Sequence, residues 1–191
     1  MTRVLFSGGR VLDGTGADIG DADVAVEDGR IVDVGPGLDG DEAIQLMLDR
    51  GTWLVPTLVA PRGVIDAADA GASIPEASVA KAREVVETHT ASFARAVAAG
   101  VRVAMGTDSG VIPHGQNLRE LALMVEGGMT PMQAIEATTR SAAELMGLQD
   151  ELGTLEAGKR ADLVVVDGDP LDVATLADRV VEVYKDGKRL V

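Results

Sequence analysis

Val101-Arg102-Val103-Ala104-Met105-Gly106-Thr107-Asp108-Ser109-Gly110 is a short apolar run that ends in a carboxylate enclosed by glycines. Val101, Val103 and Met105 alternate with Arg102, Ala104 and Gly106, the period-two spacing of a strand, and Gly100 stops the helix before it. Asp108 therefore falls at the C-terminal end of a strand. In parallel α/β sheets and barrels that end collects ligands and catalytic groups, because the βα loops there vary freely. The residues alone also allow an ordinary turn in which Asp108 or Ser109 caps the next element.

Outward from this run, residues 41–147 alternate helix and strand, the pattern of βα units with a parallel sheet. Residues 41–49 have helical period, with Ile44, Leu46, Met47 and Leu48 apolar and Gly51 as the stop. Residues 52–58 are a candidate strand in which Pro56 must sit near the end. Pro75 opens a long helix to about Ala99, with Ser73 as a possible cap and Glu76 in the first turn. Residues 117–126 form the next helix. Thr130 caps one more, with Pro131 at its first position, running to Met146 and closed by Gly147.

Both ends of the chain read as β. Val4-Leu5-Phe6 and Arg10-Val11-Leu12 flank a turn at Ser7-Gly8-Gly9, and Asp28-Gly29 joins the alternating runs 22–27 and 30–35. Asp-Gly between alternating runs signals a type I′ hairpin, since both turn positions need positive φ. A second such hairpin closes the chain at Asp186-Gly187, after the buried-strand pattern of residues 161–167. A sheet pairing the first and last segments would then form a satellite β unit around a helical middle.

Of the 191 residues, 46% are hydrophobic, yet only one Trp, one Tyr and two Phe contribute, so the core rests on Ala, Val, Leu, Ile and Met. The formal net charge of −14 repels nucleic acid and anionic membranes, and neither is expected as a partner. With no cysteine there is no disulfide, thiol catalysis or Cys-ligated zinc. The first residues lack a signal-peptide pattern, and no segment approaches the roughly 20 apolar residues of a membrane helix, so a cytoplasmic protein is expected. Other motifs are weak. Residues 167–172 have acidic spacing reminiscent of a calcium loop without its distal Glu, and a solvated turn is the stronger reading. Gly8-Gly9 and Gly14 with Gly16 lack the strand-to-helix context of a nucleotide fingerprint, and Ser109 has no histidine at a spacing that suggests a triad.

Four stretches together resemble the amidohydrolase superfamily, in its imidazolonepropionase-like and Xaa-Pro-dipeptidase-like branch. Residues 5–14 with 26–31 resemble its N-terminal sandwich strands, Gly106-Thr107-Asp108-Ser109-Gly110 the end of its last barrel strand, residues 130–143 the helix that follows, and residues 153–165 the return into the sandwich. The resemblance implies an α+β and α/β chain: a split β-sandwich from both termini around an incomplete TIM-barrel fragment, the last two βα units. The implied parts are residues 1–38 (sandwich), 41–147 (partial barrel) and 148–191 (sandwich).

It also implies metal-dependent hydrolysis of a C–N bond in an amide, dipeptide or cyclic amide. In that chemistry a divalent metal, usually zinc, activates a water. Asp108 matches the aspartate that ligates metal and carries a proton from the attacking water to the leaving nitrogen. The family's His-x-His on the first strand, bridging lysine on the fourth and single histidines on the fifth and sixth have no counterpart here. Of the two histidines, His89 is expected on an exposed face of the long helix. His114 is either a substrate-binding residue at the pocket mouth or a plain loop histidine. A complete barrel takes around 250 residues, and the resemblance implies that the join near residue 40 skips the family's first six strands. Such an open fragment leaves Val- and Leu-rich surface uncovered, so a homo-oligomer is expected. The chain alone is expected to be inactive; the alternative is a non-catalytic remnant, an oligomeric scaffold or a fragment that complements an intact relative.

Overall fold

A computed structural model describes residues 3–12, 14–15, 18–35 and 39–191. Backbone contacts divide the chain into two units, Met1–Thr52 and Trp53–Val191.

In the first unit β1 (Arg3–Leu12), β2 (Asp18–Glu27) and β3 (Arg30–Gly35) form an antiparallel sheet in the order β1-β2-β3. Asp28 and Gly29 take φ of 46° and 79°, so Glu27 pairs with Arg30 across the expected two-residue turn. Ser7-Gly8-Gly9 is not a turn. The register steps from Phe6↔Val24 to Gly9↔Ala22, which places one extra residue in a continuous β1, a bulge that glycine accommodates. The helix α1 (Asp39–Arg50) ends at Gly51, whose φ of 61° lets the Thr52 N–H reach back to the Met47 carbonyl at 2.8 Å.

The second unit begins with β4 (Trp53–Leu54), which runs parallel to β5 (Arg102–Val103) with Trp53 opposite Arg102 and Leu54 opposite Val103. Both ladders are shorter than the apolar runs that contain them. Pro56 has no N–H to donate, and beyond Ala104 the next N–H, of Met105, turns away to the Ala137 carbonyl at 2.9 Å. Between the strands lie α2 (Val59–Asp69) and α3 (Glu76–Ala98). The sequence pattern predicts no helix at α2. For α3, Pro75 itself holds the cap position at φ −55°, ψ 130°, and no side chain caps it, so Ser73 does not play that part.

After β5 come α4 (Arg119–Glu126), α5 (Pro131–Thr138) and α6 (Arg140–Leu145). Thr130 and Gln133 make a reciprocal capping box on α5, as expected of Thr130. The single helix expected to Met146 breaks at Thr139 (φ −119°, ψ −86°). The Thr138 and Thr139 hydroxyls both donate to carbonyls four residues back, a local competition that bends helices. The chain ends with β6 (Leu163–Val166), β7 (Val180–Lys185) and β8 (Lys188–Arg189), an antiparallel sheet whose last hairpin turns at Asp186 and Gly187 with φ of 50° and 73°.

One core serves this unit. Leu58, Phe93, Val103, Leu121, Met124, Ala134 and Ala137 cluster with Val173 and Leu176 from the C-terminal stretch. Outside it, the Arg102 guanidinium lies 3.8 Å from the Trp53 ring centroid and 3.5 Å from the Glu144 carboxylate, tying β4 and β5 to α6. Arg179 organises the acidic 167–172 loop: it donates to the carbonyls of Asp167, Asp169 and Asp172 at 2.6, 3.0 and 2.7 Å, so a guanidinium occupies the centre of that turn. Among the described residues two parallel strands make no closed barrel, and no helix is long and apolar enough to cross a membrane.

Candidate functional site

The C-terminal ends of β4 and β5 lie against each other because residue 106 is glycine. A Cβ there would stand 2.4 Å from Val55 Cγ1. Just past this contact each strand end has a non-glycine residue in the left-handed region, Thr57 at φ 49° and Asp108 at φ 51°. Such backbone costs energy and persists only where the surroundings impose it.

On the β5 side the surroundings are polar. Thr107 is buried and its hydroxyl meets Ser109 Oγ at 2.8 Å, while Asn117 Nδ2 donates to both hydroxyls, at 3.3 Å and 2.9 Å. Asn117 Oδ1 in turn accepts from the Gly115 N–H at 3.2 Å. The turn is closed by the Val111 N–H on the Asp108 carbonyl at 3.1 Å and the Gly110 N–H on the Ile112 carbonyl at 3.1 Å. Between its two anchored neighbours Asp108 is exposed, and among the described residues its carboxylate makes no hydrogen bond or ion pair. His114 is exposed on the same loop, next to the Gly115 that Asn117 holds. His89 lies elsewhere, half-buried on α3 rather than on an open face.

On the β4 side the anchor is one that sequence reading missed. Glu120, in the first turn of α4, is fully buried, and its two carboxylate oxygens accept the N–H groups of Leu58 and Val59 at 2.7 Å each. These are the cap and first residue of α2, so a carboxylate sits where the helix dipole is positive and N–H groups lack partners. Burial raises the Glu120 pKa above its ordinary 4.5; the Leu58 and Val59 N–H groups and Arg62 act against that rise. A glutamate adjoining the buried face of Leu121 and Met124 was the available sign, though only the unforeseen α2 gives it partners.

The donor set does not match a zinc centre. A catalytic zinc takes about three protein ligands. Among the described residues no three His, Cys, Asp or Glu side chains gather, and Glu120 is committed to backbone N–H groups. A shallow groove of about 530 Å³, lined by Arg62, Val86, Thr90 and Glu126 among others, includes no residue of the Asp108 loop.

Comparison with known proteins gives this geometry its context. The model of the amidohydrolase family matches residues 14–190. The chain is 36% identical over 155 residues to ochratoxinase of Aspergillus niger, covering 78% of this chain and 31% of that protein. A Xaa-Pro dipeptidase solved with methionine in its active site superposes with a TM-score of 0.71 and 39% identity, over 78% of this chain and 36% of the other. The A. niger ochratoxinase structure gives a TM-score of 0.64 at 34% identity, over 78% and 34%. The chain thus spans about a third of the length of these relatives. With the family model matched across nearly all of its residues, the chain belongs to the amidohydrolase family.

Proposed function

We propose that this chain carries the last-strand part of a site for hydrolysis of C–N bonds, in an amide, dipeptide or cyclic amide, and that by itself it does not turn over substrate. The observation that carries the reading is Asp108: an exposed carboxylate in the loop that leaves the parallel strand β5, unpaired among the described residues and held in left-handed backbone by anchored neighbours. A carboxylate so placed can take a proton from an attacking water and return it to a departing nitrogen. His114, on the same loop, would contact the substrate. Relatives named for a Xaa-Pro dipeptide and for ochratoxin support the class of bond. The same reading assigns the three-stranded sheets at the two ends of the chain to a split β-sandwich.

The second reading is a non-catalytic remnant, serving as an oligomeric scaffold or as a fragment that complements an intact relative. What favours it is the donor count: among the described residues Asp108 has no ligand companions, fewer than the roughly three that a catalytic zinc takes. Elemental mass spectrometry of the chelator-treated, zinc-reloaded chain separates the outcomes, with Asp108→Asn alongside and cleavage of a Xaa-Pro dipeptide followed in parallel. No retained zinc and no cleavage is the expected result. Near-stoichiometric zinc that is lost in the variant, with cleavage, overturns the inactivity of the single chain.

A further inference from the structure

We propose that Asn117, in the loop just before α4, and Glu120, in its first turn, act as one clamp that holds the ends of β4 and β5 together and thereby sets the position of Asp108. The proposal rests on the reading of Asp108 as the working carboxylate, but its physical content is a coupling between two turns. Asn117 grips the β5 turn through Thr107 and Ser109. Glu120 grips the β4 turn through the N–H groups of Leu58 and Val59. Each gripped turn has one left-handed non-glycine residue beside the gripped atoms, Asp108 in one and Thr57 in the other. Between the turns, Val55 packs where a Cβ on Gly106 would clash, so a shift of one strand end is transmitted to the other. Neither side chain reaches the Asp108 carboxylate in a hydrogen bond, so both are positioning residues.

Glu120 is suited to this part by its geometry. The Leu58 and Val59 N–H groups each meet a separate oxygen, and the carboxylate supplies both. Glutamine offers one acceptor and turns an N–H₂ toward the second N–H, so Glu120→Gln breaks half the grip with almost no change in shape. Asn117→Ala removes the other half at a half-buried loop position.

The test is NMR of the isotopically labelled full chain, which needs neither metal nor substrate, so a failed hydrolysis assay and a failed clamp are told apart. In the unsubstituted chain the carbon shifts of Thr57 and Asp108 should report left-handed backbone. In Glu120→Gln, protection of the Leu58 and Val59 amides from exchange should fall about tenfold, the loss of one hydrogen bond. The Thr107, Asp108 and Ser109 resonances should move with them. In Asn117→Ala the Asp108 shifts should leave the left-handed range and the Thr57 shifts should move. Asn117→Asp, which keeps an oxygen for the Gly115 N–H and offers the other as acceptor to the Thr107 and Ser109 hydroxyls, which then donate, should restore them. Glu136→Gln, at an exposed ion pair with Arg140, serves as the control and should move neither turn. Should Glu120→Gln fail to fold, the Asn117 pair decides. Variants that fold with only their own turn disturbed would overturn the clamp and leave two independent local anchors.

Discussion

Glu120 shows how one side chain can hold a strand end and tilt the pH response of the whole unit. Its carboxyl is pushed above 4.5 by burial, so the native chain holds this proton more tightly than the unfolded chain does. The stabilisation that comes with the proton is therefore fully present below about 4.5 and is lost as pH rises through the raised value. Asp162 works in the opposite sense and at lower pH: the Asp186 N–H and then the Lys185 ammonium hold it below 3.8, and its contribution is lost as pH falls through that lowered value. Urea unfolding at a series of pH values above 4.5 should show the unsubstituted chain losing stability with rising pH more steeply than Glu120→Gln, which has no proton to release. Parallel slopes for the two proteins would refute the assignment. The contrast with Asp108 bears on what a sequence can reveal about single residues. Asp108 stands out because glycines and a strand end surround it within five positions, whereas Glu120 draws its meaning from Leu58 and Val59, sixty-two and sixty-one residues away.

At the scale of elements, the approach of β4 to β5 depends on Gly106 having no side chain. Gly106→Ala places a methyl 2.4 Å from Val55 Cγ1, and Val55, branched at Cβ, has few rotamers in which to yield. The expected cost is about 1–3 kcal/mol, read as a lower urea midpoint, with the Thr57 and Asp108 resonances displaced together. A variant as stable as the parent would mean that the strand ends are not in firm contact. The elements most readily read from sequence are those with local chemistry: both Asp-Gly hairpins, the Thr130 cap with Pro131 behind it and the glycine stop after α1. The element missed was α2. Pro61 and Gly63 disguise it as a loop, yet Pro61 falls in the first turn, where its missing N–H costs nothing. Gly63 is buried where a Cβ would meet Ile112 Cγ2 at 2.1 Å, so its glycine serves close packing and not a turn. The break at Thr139 was hidden for a related reason. Its hydroxyl bond to Ile135 competes with the helix in a way that apolar periodicity does not register.

At the scale of the molecule, a large negative charge opposes a set of exposed branched side chains. Ile31, Val32 and Val34 on β3 are 67%, 49% and 37% exposed; Ile31 and Val32 are adjacent, so apolar groups lie on both faces of a strand at the edge of its sheet. An edge strand with an unpaired ladder and apolar faces is a template for a second chain, while the net charge of −14 pushes two copies apart. These two forces respond to salt in opposite ways. Screening shortens the reach of the repulsion to about 8 Å at physiological ionic strength, and the apolar attraction survives it. The expected homo-oligomer should therefore form more readily as salt rises, the reverse of an association held by surface ion pairs. Sedimentation velocity over a hundredfold range of concentration, at low and high salt, measures this directly. Ile31→Lys with Val32→Lys should lower association at both salts, because each places a charge on one face of the edge strand. A chain that stays monomeric throughout would remove self-association as the way the exposed strand is covered. A chain that associates equally with and without the two lysines would move the contact to the C-terminal sheet, where Val164 and Val181 are 54% and 49% exposed.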